Sequence, residues 1–274
     1  QHHNLPQRQC NNNNNTTSHP PIKLLSSHGT PILGIMVNIY VARHGQDLDN
    51  ANGILNGHRN EPLTDLGRQQ AKDVANKMVK AAFTLSTTSS SSTALSAIYS
   101  SPLKRAHETA EIFARVLSGR DDDANQPANT STSPNSSSIK IEVLDDLIER
   151  DFGIMTGQLT SSILEKCGED HILATETINY FLDPSGAETF PDLIDRANRL
   201  LSHIQKIAEK DSTLSSILLV THGDFGKMIY AAYYNLQWEE VLRQFHFGNS
   251  EVILLAKDSP PEKAHVFETL QFNT

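Results

Sequence analysis

The apolar positions of this chain fall into short runs that alternate between strand and helix spacing. Val37-Asn38-Ile39-Tyr40-Val41-Ala42 is a short, mostly apolar run of the kind that a buried strand makes. Ala97-Ile98-Tyr99 and the uninterrupted Ile217-Leu218-Leu219-Val220 read the same way, while Ile139-Lys140-Ile141-Glu142-Val143 alternates like a half-buried strand. Val252–Leu255 and His265–Leu270 close the set as terminal strands. Between them the period changes. After Thr64, the positions Leu66, Gln70, Val74, Met78 and Ala81 recur at helical spacing, and so do Leu103, Ala106, Ala110, Phe113 and Leu117. A serine and a proline, Ser101-Pro102, stand where an N-cap and a first helical residue belong. A third helix runs from Phe190 to Ile207 with Leu193, Ala197, Leu200 and Ile204 on one stripe, and a fourth passes through Met228 to Tyr234. Strands that alternate with helices in this way predict an α/β fold, a three-layer α/β/α sandwich around a mostly parallel sheet.

Composition divides the chain. Residues 1–35 are rich in Asn, Ser, Thr, His and Pro, include the run Asn11 to Asn15, and hold too little apolar surface to order themselves. They are expected to be a disordered tail, with 36–274 as a single domain. Within it, Ser/Thr-rich and Asp/Asn/Ser-rich stretches near 84–93 and 118–138 read as surface insertions. The formal net charge of −9 argues against a nucleic-acid partner, and no apolar run is long enough to imply a membrane. Cys10 and Cys167 are too few for a disulfide framework, so an intracellular, cytoplasmic location is expected. The tail contains no Asp or Glu, a loose likeness to an organelle transit peptide.

The polar residues at the strand ends then carry the chemistry. Open α/β sheets build their sites beyond the carboxyl ends of the strands. The first strand ends in Arg43-His44-Gly45, the second leads into Arg105, the third into Glu149, and Ile217–Val220 ends in Thr221-His222-Gly223. A basic residue and a histidine leaving a buried strand are poorly placed for packing and well placed to receive a phosphate. Taken singly, each residue has a plain structural role open to it. It is their joint placement at successive strand ends that points to a site.

On these residues the chain resembles the histidine phosphatase superfamily in its phosphoglycerate-mutase-like branch. The matching strings are Arg43-His44-Gly45 with Asn50, Asn56-Gly57-His58-Arg59 before Pro62-Leu63-Thr64, Ser101-Pro102-Leu103-Lys104-Arg105 with Thr109, Glu149 with Phe152-Gly153, and Thr221-His222-Gly223. Pro184-Ser185-Gly186-Ala187-Glu188 leading into Asp195-Arg196 is a weaker match. The resemblance implies a phosphoglycerate-mutase-like fold with His44 as the nucleophile, its second ring nitrogen held by a carbonyl near Gly45. Arg43 and Arg105 would grip the phosphoryl oxygens, a cationic His222 would add charge, and Glu149 would shuttle the proton. Asn50, Asn56, Gly57, Arg59 and the backbone N–H of Gly223 are implied as substrate contacts. No metal and no cofactor are implied, because two arginines and a histidine neutralise the phosphate. One departure is Gln46, where the family often has glutamate; its place is expected to be peripheral.

The expected reaction is hydrolysis of a phosphomonoester, with a small phosphorylated metabolite as the first substrate class and a phosphoprotein as the second. The alternatives are a bisphosphate-dependent phosphoglycerate mutase and a non-catalytic phospho-ligand-binding protein. Mutases of this branch carry extra basic residues, including a tandem arginine pair, after the proton-shuttle glutamate. Here Met155–Asp183 holds Lys166, His171 and no arginine, which favours transfer to water. Ile163, Leu164, Ile172, Leu173, Ile178, Tyr180 and Phe181 in that segment fit either a partly apolar lid or a helix packed on the core. His58, His107, His203 and His246 are expected to fill surface or core roles.

Overall fold

The computed structural model describes residues 37–86, 95–119, 139–176 and 178–268. In chain order the regular elements begin with β1 (Asn38–Arg43), the short α1 (Leu48–Ala51), α2 (Asp65–Ser86), β2 (Ala97–Ser100), α3 (Lys104–Leu117) and β3 (Ile141–Val143). They continue with α4 (Ile163–Cys167), β4 (Ile172–Ala174), β5 (Asn179–Phe181), α5 (Phe190–Lys210), β6 (Ser216–Thr221), α6 (Gly223–Tyr234), α7 (Trp238–Gln244), β7 (Val252–Leu255) and β8 (His265–Phe267). The main sheet has the order β3-β2-β6-β1-β7-β8. β3, β2, β6 and β1 run parallel, and β7 and β8 add an antiparallel edge. β6 and β1 occupy the middle, which is why their residues read as near-continuous apolar runs.

Helices cover both faces. α2 and α3 bury Ala71, Val74, Met78, Ala110 and Phe113 against one side of the sheet. α5, α6 and α7 bury Leu193, Leu200, Leu201, Ile204, Met228 and Val241 against the other. Each such Leu or Ile contributes roughly 1.5–3 kcal/mol by leaving water. α5 starts at a capping box in which Thr189 and Asp192 exchange side-chain and backbone bonds, with Pro191 in the first turn. The three-layer α/β/α sandwich is therefore the observed architecture.

Several local expectations change. Leu66 points outward and is 46% exposed, and Ala71 and Ala75 take its place on the buried stripe of α2. α3 begins at Lys104 with Leu103 in the cap position, so Ser101 and Pro102 precede the helix. Ser101 is drawn instead to His222. β3 and β8 are shorter than the pattern suggested, and 269–270 lie outside the described residues. The segment 163–181 is not one helix: α4 is followed by the β4–β5 hairpin, whose Phe181 packs with Phe152, Met155 and Ile163 in a separate apolar cluster. The tail at 1–35 lies outside the described residues. So do 87–93 of the first expected insertion and 120–138 of the second. No helix of the described residues is long and apolar enough to cross a membrane.

Two features of this frame position the site. β1 and β6 pair in parallel with Arg43 opposite Thr221, so the next residue of each strand, His44 and His222, leaves the sheet beside the other. The turn after β1 also packs backbone to backbone on the start of α2. A Cβ on Gly45 would lie 2.3 Å from the Gly67 carbonyl oxygen, and one on Gly67 would lie 2.1 Å from that of Gln46. Only glycine at both positions allows this approach.

Candidate active site

At the carboxyl end of the sheet, His44 and His222 face each other with ring centroids 5.1 Å apart. His44 is 1% exposed and donates from Nδ1 to the Gly45 carbonyl at 2.6 Å. A carbonyl only accepts, so the proton sits on Nδ1 and Nε2 keeps its lone pair. Burial holds the imidazole well below its ordinary pKa, and the nearby Arg105 and Arg43 guanidinium groups push the same way. His44 is thus a neutral imidazole with a fixed tautomer.

Arg105 is fully buried at the start of α3. Its Nε lies 3.3 Å from His44 Nε2 and 3.2 Å from Asp47 Oδ2, while Nη1 and Nη2 donate to the carbonyls of Arg59 at 2.6 Å and Gly57 at 2.8 Å. The Arg105 carbonyl accepts from Thr109 Oγ1, which in turn accepts from the Gly45 N–H. Arg43 donates from Nη1 to the Phe247 carbonyl at 2.7 Å and has its Nε buried without a partner.

Glu149, 5% exposed, sits across the N-terminus of α6. Its carboxylate accepts from the backbone N–H groups of Arg150 at 2.9 Å, Gly223 at 3.1 Å and Phe225 at 3.1 Å. Burial, helped by the Asp224 carboxylate, raises its pKa against the pull of these donors and of Arg105. The loop carrying Glu149 is braced by Arg196, which bonds the carbonyls of Asp146, Ile148 and Glu149 and pairs with Glu188 at 2.8 Å.

Beside this cluster is a cavity of about 430 Å³. Arg43, Asn50, Asn56, Glu149 and Gly223 stand in its wall, with β5, Phe152 and Ile163 opposite. His44, Arg105 and His222 adjoin that wall without forming part of it, each 1% exposed or less. Asn50 presents a buried Oδ1 with no hydrogen-bond partner. Among the described residues, no group of three or more His, Cys, Asp or Glu side chains is placed to hold a metal ion.

Several expected roles are refined by this geometry. His222, expected to be a cation beside phosphate, has its pKa held well below the ordinary value in the free protein, by burial first and then by Arg105, His44 and Arg43. Its Nε2 meets Ser101 Oγ at 2.7 Å. The Gly223 N–H is committed to Glu149, leaving it unavailable as a phosphate donor. Arg59 is turned away by Asp49 at 2.7 Å and Glu61 at 3.5 Å, and neither it nor Gly57 lines the cavity. Both act through their carbonyls on Arg105. Asn56 stays in the wall but donates to Asp47 Oδ2 at 2.7 Å. Gln46 is peripheral, its Oε1 accepting from Thr64 Oγ1.

Sequence reasoning gave no site role to Asp47, Ser101, Thr109 and Arg196. Ser101, Thr109 and Arg196 lay within the matching strings and Asp47 close to one, and their bonds are what turn them into parts of the site. His58, given no partner from the sequence, donates from Nε2 to the Glu149 carbonyl at 2.8 Å.

The family model of the histidine phosphatase superfamily, branch 1, matches residues 39–263. The chain belongs to that superfamily. Among superfamily relatives, it is 32% identical over 195 residues to phosphoglycerate mutase-like protein 4 of Arabidopsis thaliana, covering 70% of this chain and 69% of the relative. It is 29% identical over 195 residues to the metal-independent phosphoserine phosphatase of the same plant, covering 71% and 68%. The solved structure of a mycobacterial glucosyl-3-phosphoglycerate phosphatase shares the fold at a TM-score of 0.59 and 19% identity, with 80% of this chain and 92% of that one covered. Phosphatases and mutase-like proteins thus both stand among the histidine phosphatases that this chain resembles.

Proposed function

We propose that this protein is a metal-independent phosphomonoester hydrolase that works through a phosphohistidine on His44. The observation that carries the reading is the pinned imidazole: Nδ1–H on Gly45 leaves a neutral Nε2 beside two arginines. A neutral nitrogen with an oriented lone pair is what attack on phosphorus requires.

A phosphoryl group that binds at Nε2 displaces that nitrogen as the acceptor of Arg105 Nε and takes the donor itself. Arg43, whose buried Nε lacks a partner, supplies a second charge-assisted bond. Dianion binding raises the pKa of His222, so the histidine gains its proton in the complex rather than before it. Asn50 turns its amide toward the same group. Such fixed donors commonly supply ~10²–10³-fold in rate each. Glu149, raised by burial, protonates the leaving oxygen and then takes a proton from the water that attacks phosphohistidine. The oxygen of that water leaves as inorganic phosphate, and no metal enters the balance.

A cavity of about 430 Å³ is of a size that suits a small metabolite, which supports that class over a phosphoprotein as substrate. The cap segment Met155–Asp183, without arginine, supports transfer to water over a mutase cycle. The deciding experiment measures phosphate release from a panel of phosphomonoesters with EDTA present, for wild type and His44→Ala. In parallel, 3-phosphoglycerate conversion is followed with and without bisphosphoglycerate. Release that survives EDTA and vanishes in the variant upholds the reading. Bisphosphate-dependent isomerisation without release makes the protein a mutase, and silence in both assays favours a binding protein.

A further inference from the structure

The charges around the cavity do not balance, and the remainder sits on one residue. Glu149 is held by three backbone N–H groups. Arg43 is assigned to the phosphoryl group. Arg150 stacks over Phe181 and Phe190, donates to the carbonyls of Phe181, Leu182 and Glu188, and faces Asp224 at 3.6 Å. That leaves Lys227. It stands in the cavity wall at 4% exposure, and its Nζ donates to Tyr180 Oη at 2.6 Å over the edge of the cap. Among the described residues no carboxylate lies within 4.0 Å of this ammonium. Three N–H donors sit on Nζ and Tyr180 uses one.

Position strengthens the point. Lys227 is four residues beyond Gly223 on α6, so the two share a helix face about 6 Å apart along the axis. Gly223 binds the carboxylate of Glu149, so Lys227 lies one turn along from the proposed chemistry, facing β5 of the cap. A buried ammonium whose neighbours are the hydroxyl and the ring of one tyrosine, Tyr180, is costly unless an anion meets it. The same cavity is lined by apolar groups such as Ile54, Ile163 and Ile178 and by polar ones such as Asn50, Thr160 and Asn179.

We infer that Lys227, oriented by Tyr180, is a specificity-determining residue that binds a carboxylate on the substrate, so that the enzyme selects phosphomonoesters whose body carries a second anion a few bonds from the phosphate. This rests on the hydrolase reading above. Tyr180 belongs to the cap hairpin, and its hydroxyl completes the carboxylate site from the opposite side.

The test uses matched pairs, ω-phosphooxyalkanoates of three to six carbons and their primary amides, which differ only in the second charge. For wild type, kcat/KM for the preferred acid is expected to exceed that of its amide by about 10- to 100-fold. In Lys227→Met the ratio falls to near one, chiefly through KM of the acid. Tyr180→Phe, which keeps the ring, lowers the ratio less and serves if the first variant does not fold. Equal rates for acid and amide in wild type overturn the inference, as does a loss shared equally by both members of the pair, which marks Lys227 as structural. Calorimetric binding of the matching ω-phosphonoalkanoate and its amide to the His44→Ala protein separates the two readings. A preference for the acid that depends on Lys227 upholds this site even if no ester is hydrolysed, and no preference sinks it even if hydrolysis is found.

Discussion

Asp47 and Arg105 form an ion pair from which water is excluded on both sides: Nε and Oδ2 lie 3.2 Å apart and both side chains are 0% exposed. Asp47 also accepts from the Asn50 N–H and from Asn56 Nδ2, each at 2.7 Å. One carboxylate therefore caps α1, anchors the cavity wall and aims the guanidinium at His44. Breaking one side of a buried pair commonly costs about 3–5 kcal/mol, because the other charge stays buried. Asp47→Ala is expected to lose about that much in urea denaturation and to lose most phosphate release. Asp47→Asn, which keeps an acceptor, is expected to lose less of both. An unchanged urea midpoint in Asp47→Ala is the outcome that contradicts this.

The raised pKa of Glu149 predicts a leaving-group signature. Glu149→Gln is expected to lose about 10²–10⁴-fold on alkyl phosphates, whose leaving oxygen needs a proton, and far less in the first step on nitrophenyl phosphate. Equal losses on the two classes in single-turnover measurements argue against the acid role.

Stability should depend on pH through the buried histidines. His44 and His222 are held neutral in the fold, well below the ordinary value of 6.5, so the unfolded chain binds more protons once pH drops under that value. Stability is then present above pH ~6.5 and is lost as pH falls below it. Glu149 and Asp47, both raised in the fold by burial, work in the opposite sense above their ordinary 4.5 and 3.8. Between pH 6.5 and 5 the two histidines pull the denaturation midpoint down as pH falls. His222→Asn should flatten that slope by about one proton, and an unaltered slope means that His222 is not the group responsible.

The backbone contact between Gly45 and Gly67 leaves no room for a methyl group. Gly67→Ala places a Cβ 2.1 Å from the Gln46 carbonyl oxygen and is expected to destabilise the fold by about 1–3 kcal/mol, as overpacking does. Because Gln46 follows the turn that pins His44, activity should fall further than stability. A variant as stable and as active as wild type would mean that the turn yields freely.

Much of the frame was legible because strand and helix periods differ and because β1 and β6, in the middle of the sheet, kept near-continuous apolar runs. The motif residues were legible because charge at the end of an apolar strand has few other reasons to be there. What escaped was relational. Whether Arg59 offers its side chain or its carbonyl depends on Asp49, and whether the Gly223 N–H meets phosphate or Glu149 depends on a loop placed by Arg196. Of the two readings open for the cap, the single packed helix fails, because a short helix and a hairpin share the spacing that one helix would show. Lys227 gave no signal at all, since a lysine within a helix is ordinarily solvated.

The register of β1 on β6 has a further consequence for how such a protein can change. His44 and His222 are joined through the hydrogen-bonded centre of the sheet, whereas Tyr180 and Phe181 sit on a separate two-stranded ribbon. A residue inserted or deleted in β6 would swing the second histidine to the opposite face and end the chemistry at a stroke. The same change in the ribbon would merely reshape the far wall of the cavity. The architecture is thus unequally tolerant of changes in length: the end of the sheet that holds both histidines allows none, whereas the hairpin can be altered without moving them.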